Sequence, residues 1–188
     1  MIKKLLALDI SSSTIGYAYF EYDDQAASLL DYGYYKPPSK VKAKGVLPHR
    51  LDKALQGFDK LLKKYNPTEI AIEDYAKQFS KGRSTAQTII MLSVFNELIS
   101  LAAYQSLGKE AFKYPVTTIR SVIGKHFGEK IVSKDEVYPV IVKHCVSFIP
   151  AQNRKNKDAK EAGDVADAIS CGMTHIIKQS KKDLIWKI

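Results

Sequence analysis

Apolar and polar positions along the chain divide it into an N-terminal part with short apolar runs and a longer part with helix-spaced stripes. Lys3 to Asp9 is a short apolar run, Ile15 to Tyr22 a second one rich in aromatics, and Leu29 to Lys36 a third that stops at Pro37 and Pro38. The connecting SSST and DDQA segments are short and rich in turn formers, so the three runs predict consecutive antiparallel strands. From Leu47 to Tyr65 the apolar residues Leu47, Leu51, Ala54, Leu55, Phe58, Leu61 and Leu62 recur at helical spacing, and Asn66 with Pro67 ends the helix. EIAIED then reads as a brief buried strand ending in Glu73 and Asp74.

After the basic segment KQFSKGRS, a long helix is predicted over 86–107. Its apolar residues point in nearly every direction, so either a second protein chain or further layers of its own domain must cover it. AFKYPV predicts a final strand, and TTIRSVIGK a short helix begun by a threonine cap. Ser133 and Glu136 form an S-x-x-E capping box that opens a helix through SKDEVYPVIVKHCVSF, with Pro139 deep enough to kink it. A basic loop, Pro150 to Lys160, leads into a last helix from about Glu161 to Lys178. This order predicts an α/β fold. Its mixed five-stranded sheet has three antiparallel N-terminal strands, then parallel strands joined by helical crossovers, with helices on both faces.

Composition narrows the picture in three ways. With 188 residues, 45% of them hydrophobic, and no low-complexity linker, residues 1–188 read as one domain with a real core. Lysine and arginine outnumber acidic residues 29 to 20, a net charge of +9, which makes nucleic acid the leading partner class against the plainer reading of lysines that merely keep a protein soluble. Asp9 breaks the N-terminal apolar run too early for a signal peptide or membrane span. Two unpaired cysteines, Cys145 and Cys171, fit a reducing compartment. The expected location is inside the cell, in the cytoplasm or in an organelle or virus-associated compartment that holds DNA, with no membrane partner.

Four carboxylates interrupt apolar sequence: Asp9 ending the first strand, Glu73 ending the fourth, and Asp164 with Asp167 in the stretch AGDVADAIS. Three residues apart on a helix, the two aspartates share a face. Each acid alone reads as an ordinary strand-end or helix-surface residue, and the aspartates also suit a helix N-terminus. If the first and fourth strands are neighbours and the last helix packs over them, however, all four converge. Such a cluster calls for hard divalent cations: two Mg²⁺ ions, with Mn²⁺ as a substitute, about 3.5–4 Å apart in the manner of phosphodiester hydrolysis.

The segments LALDISSSTIGYAYF, IAIEDYA and AGDVADAIS, in that order, resemble the RuvC-type Holliday junction resolvases of the RNase H-like superfamily over nearly the whole chain. The resemblance implies an RNase H-like fold. It further implies a structure-selective endonuclease that resolves four-way DNA junctions, with Asp9, Glu73, Asp164 and Asp167 as metal-binding catalytic acids. It implies a homodimer as well, with helix 86–107 at the interface. Arg120 and Lys134 fall at family DNA-surface positions, and Lys125 lies between them. Tyr75 and Phe79 are candidates for an aromatic inserted at the junction centre, although neither has the family's spacing. Lys77, Lys81 and Arg83, together with Arg154, Lys155 and Lys157, suit phosphate contact by charge, beside the plainer reading of solvated basic loops.

Where many relatives carry proline and glycine after the first aspartate, this chain has Ile10, Ser11 and Ser12, so serine hydroxyls are expected to hold the turn. A related nuclease acting on an RNA–DNA hybrid, a flap or a structured RNA is the alternative on the same fold. A sugar-kinase or actin-like ATPase would need a second lobe and a glycine-rich phosphate loop, which 188 residues with no clustered glycines do not accommodate. A nucleic-acid-binding protein without catalysis would most simply have lost one of the acids, and all four are present. Cys171 and His175 continue the stripe of Asp167 at four-residue steps. They read as core residues more readily than as zinc ligands.

Overall fold

The computed structural model describes residues 1–37, 46–75, 86–145, 147, 158–180 and 184–188. Strands β1 (Lys3–Ile10), β2 (Ile15–Tyr22) and β3 (Ala26–Tyr35) form an antiparallel meander. Helix α1 (Val46–Tyr65) leads to β4 (Glu69–Asp74), which pairs parallel with β1; α2 (Ala86–Leu107) leads to β5 (Phe112–Pro115), parallel with β4. Helices α3 (Val116–Phe127), α4 (Val137–His144) and α5 (Asp158–Gln179) follow, and β6 (Ile185–Lys187) closes the far edge beside β3. The sheet order is β5-β4-β1-β2-β3-β6.

The expected five strands are therefore six. β6 is three residues long, too short for its alternation of exposed Ile185 and Lys187 with half-buried Trp186 to stand out in the apolar tail LIWKI; Trp186 anchors it against His126, ring centroids 5.5 Å apart. Two helix starts also differ from expectation. Helix α3 begins directly after Pro115, with no side-chain cap, because the preceding strand already delivers a residue of extended backbone. The Ser133–Glu136 segment forms a short 3-10 turn over Lys134–Glu136 in which the Glu136 carboxylate accepts from the Ser133 and Val132 amides. Pro139 consequently falls in the first turn of α4, where its missing N–H costs nothing, and it does not kink the helix.

Alternation along the strands sends side chains to two cores. Leu6, Leu8, Ile10, Ile70 and Ile72 face α1 and α2, meeting Ala54, Phe58, Phe95 and Ile99. Leu5, Ala7, Phe20 and Ala71 face the other way, onto Val165, Ile169, Met173 and Ile176 of α5, with Ile119, Ile123 and Ile141 of α3 and α4 in the same cluster. Helix α5 is thus enclosed by the sheet on one side and α3 and α4 on the other, and every residue from Asp164 to Ile176 is buried. Close packing requires small residues here: a Cβ on Gly172 would stand 2.4 Å from the Phe20 ring.

Helix α2 is long and apolar enough to cross a membrane by length and composition alone, yet it buries Phe95, Asn96, Ile99 and Ala103 against the domain. Its own domain fully buries only that stripe, with Met91, Ala102 and Leu107 packed partly at its margins. Ile90, Leu101 and Tyr104 are 62%, 53% and 52% exposed, and separations of eleven and fourteen residues place them together on the opposite side of the helix.

Candidate active site

The sheet brings the first two acids together. Leu8 pairs with Ile72 across the parallel β1–β4 ladder, so Asp9 and Glu73 are the next residues along neighbouring strands. Leu8 and Ile72 point to the α1–α2 core, which by the period-2 rule turns both carboxylates to the α5 face. Asn96 of α2 donates to the Glu73 carbonyl at 3.2 Å and holds the strand end from behind.

Helix α5 supplies the other two. Asp9 lies opposite Gly16 in the β1–β2 register, and a Cβ on Gly16 would meet the Asp164 carbonyl oxygen at 2.3 Å. Helix and strand are in backbone contact at that point. Asp9, Asp164 and Asp167 are all buried and each offers an oxygen within 4.8 Å of the others. Glu73, half-buried, stands beside this trio on the sheet without belonging to it at that distance. Its charge nonetheless reaches the same region: burial raises the pKa of the Cys171 thiol, one turn beyond Asp167, and the Glu73, Asp9 and Asp167 carboxylates push it further the same way.

Carboxylates at such a separation repel by about 3–4 kcal/mol per pair at an effective dielectric near 20. A hard divalent ion with metal–oxygen distances of about 2.1 Å holds opposite ligands about 4 Å apart, so the donor type, the charge and the spacing of this trio all suit one. Among the described residues this is the group with metal-ligand spacing. Cys171 and His175 do not form part of it, and both are fully buried in the core.

The turn after Asp9 is held as expected. The Ser11 hydroxyl oxygen accepts from the Thr14 amide at 2.9 Å and the Ser13 amide at 3.3 Å, and donates to the Thr14 carbonyl at 2.7 Å. Sequence reasoning missed Arg50 of α1, whose guanidinium donates to the Ser12 carbonyl and lies over the Phe95 ring at 5.4 Å. One turn before Asp164 on α5, buried Glu161 is paired with Lys36 at the exit of β3.

The basic and aromatic candidates are spread around this centre. Tyr75 follows β4 directly, two residues after Glu73. Lys125 is exposed in the last turn of α3, whereas Arg120 is half-buried and donates to the Val132 carbonyl at 3.3 Å. Lys134 lies in the 3-10 turn before α4. Lys77, Phe79, Lys81, Arg83, Arg154, Lys155 and Lys157 lie outside the described residues.

A mixed sheet of this order, with acids at adjacent ends of β1 and β4 and on a helix packed over them, defines an RNase H-like fold. Solved structures share it. Thermus thermophilus RuvC in complex with a Holliday junction substrate superposes with a TM-score of 0.66 at 16% identity, covering 94% of each chain. The yeast mitochondrial Holliday junction resolvase gives 0.63 at 12% identity, over 90% of this chain and 76% of that one. The sequence model described as crossover junction endodeoxyribonuclease RuvC matches residues 5–175, and the chain belongs to that family. Similar sequences include the crossover junction endodeoxyribonuclease RuvC of Campylobacter jejuni, 28% identical over 92% of this chain and 93% of the relative. That of Fusobacterium nucleatum is 30% identical over 92% and 80%.

Proposed function

We propose that this chain, as a single domain over residues 1–188, resolves four-way DNA junctions as a homodimer inside the cell, each subunit hydrolysing one phosphodiester with divalent ions held by Asp9, Glu73, Asp164 and Asp167. The observation that carries this reading is the buried trio of Asp9, Asp164 and Asp167 oxygens within 4.8 Å of one another, with Glu73 beside Asp9 on the same sheet face. Bound there, two Mg²⁺ ions, or Mn²⁺ in their place, would activate a water and stabilise the leaving oxygen.

The chain's own residues do the rest. The two aspartates come from one buried helix and the other acids from two strands of one sheet, so the four carboxylates are presented on rigid elements. The Ser11 turn and Arg50 keep the chain leaving Asp9 in place. Lys125 and Arg120 on α3, with Lys134, Tyr75 and the basic segments 77–83 and 154–157, supply the cationic and aromatic groups suited to a branched polyanion. The outward apolar stripe of Ile90, Leu101 and Tyr104 on α2 supports a second copy of the chain as its cover.

The test is a panel of labelled substrates: four-way junction, linear duplex, flap and RNA–DNA hybrid, each with Mg²⁺ or Mn²⁺. Symmetric nicking of the junction is expected, and Asp9→Asn or Asp167→Asn should bind the junction and leave it uncut. Equal cutting of linear duplex, or preference for the hybrid, overturns the junction assignment; activity surviving in Asp167→Asn overturns the site.

A further inference from the structure

Away from the aspartates, the same face of the sheet buries a second polar cluster that the proposed chemistry does not use. His175 of α5 is fully buried, with Nε2 3.0 Å from Glu69 Oε2 and Nδ1 3.0 Å from the Tyr114 hydroxyl. Tyr22 donates to the same Glu69 oxygen and lies 3.3 Å from Nε2, and Lys3 reaches Glu69 Oε1 at 3.1 Å. Elements β2, β4, β5 and α5 therefore meet at one histidine ring. Burying such a group costs several kcal/mol that apolar packing would not cost, so its return is sought in geometry and not in stability.

The geometry is that of a two-level clamp. On β4, Glu69 and Glu73 are four residues apart on one face, a span of about 13 Å. On α5, Asp167 and His175 are eight residues apart on one side, a span of about 12 Å. Strand and helix run in opposite directions with matched spans, so the level that joins His175 to Glu69 sets the level at which Asp167 lies over the Glu73 end of β4. Tyr114 ties the two levels together, because its backbone pairs with Glu73 while its hydroxyl contacts His175. Slipping α5 by one residue would shift it by 1.5 Å and turn it by 100°, which misplaces both aspartates at once.

We propose that His175 and Glu69, braced by Tyr114 and Tyr22, are positioning residues that fix the axial register and rotation of α5 so that Asp164 and Asp167 meet Asp9 and Glu73 as one metal cradle. The proposal rests on the metal-binding reading of the four acids, and its test separates the two.

Mn²⁺ binding to the full chain without DNA is measured by calorimetric titration, beside junction binding in EDTA and cleavage in Mg²⁺. His175→Ala is expected to weaken Mn²⁺ binding at least tenfold and to lower kcat at least a hundredfold, with junction affinity within threefold of the parent. Added imidazole should restore part of the Mn²⁺ affinity. Tyr114→Phe, which removes one hydroxyl, should weaken Mn²⁺ two- to fivefold. A folded His175→Ala that binds Mn²⁺ like the parent overturns the proposal even where its melting temperature falls, since that is the signature of a merely structural role. If His175→Ala does not fold, parental Mn²⁺ affinity in both Tyr114→Phe and Glu69→Gln overturns it. A parent that binds Mn²⁺ but cuts no junction sinks the resolvase reading and leaves the clamp standing; a parent that binds no Mn²⁺ sinks both.

Discussion

The Cβ that Gly16 lacks would stand 2.3 Å from the backbone oxygen of Asp164. Gly16 is also the residue opposite Asp9 in the β1–β2 ladder. One hydrogen in place of a side chain therefore sets how near α5 comes to the strand that carries the first acid. Gly16→Ala must push α5 outward, because the atom it meets is backbone and cannot rotate away. The expected cost is about 1–3 kcal/mol of stability. Cleavage should fall by about a hundredfold or more, as misplacement by an ångström does. Thermal melting and single-turnover cleavage check both.

Arg50 holds the turn after Asp9 through the Ser12 carbonyl and rests on the Phe95 ring. Arg50→Ala should lower stability by about 2–4 kcal/mol, the sum of one charge-assisted hydrogen bond and a cation–π contact onto the buried Phe95 ring. Cleavage should drop about tenfold. Arg50→Lys should recover stability only partly, since an ammonium lacks the planar fork. Chemical denaturation and cleavage rates on the two variants decide this.

Glu69 gives an acid dependence with a definite sign. Burial raises its pKa, but the hydrogen bonds from His175, Tyr22 and Lys3 outweigh that and hold it at about 2, against 4.5 for a free glutamate. A carboxyl whose pKa is lower in the fold stabilises the folded state fully above pH 4.5, and that contribution fades as the pH falls toward 2. Urea midpoints measured across this window should decline with acid in the parent. In Glu69→Gln the decline should be shallower, and equal slopes in the two proteins would refute the assignment.

The two sides of α2 should respond oppositely to substitution. Ile99 is fully buried, so Ile99→Ala is expected to cost about 2–5 kcal/mol. Ile90 and Leu101 are more than half exposed, so Ile90→Lys with Leu101→Lys should leave monomer stability within about 0.5 kcal/mol per site. The same pair should convert a dimer to monomers in sedimentation velocity. A parent protein that sediments as a monomer at every concentration would count against the dimer.

Much of the fold was legible because its signals are local. The apolar run ending in LALDI and the alternation in EIAIED mark β1 and β4, the stripe from Leu47 to Leu62 marks α1, and an acid inside an apolar run stands out wherever it occurs. The serine-held turn after Asp9 was also local, since Ser11 bonds residues two and three positions on. Glu69 leaves a trace in the sequence as well: with Ala71 and Glu73 it occupies every second position of β4, so an acid at the start of that strand faces α5 too. His175 lies on the stripe of Asp167 and Cys171, but nothing nearby in the sequence names its partners.

By itself, then, the sequence determined the first five strands, the long helices and the four acids, because periodicity and charge within apolar runs depend on neighbours a few residues away. Only the tertiary structure decided that β6 completes the sheet, that α2 keeps one apolar side outward, that Gly16 admits α5, and that His175 is seated on Glu69 and Tyr22. Tyr22 and His175 are separated by 153 positions. Contacts of that kind exist only once the chain has closed on itself, and pairing energies between distant side chains leave no period for a sequence to show.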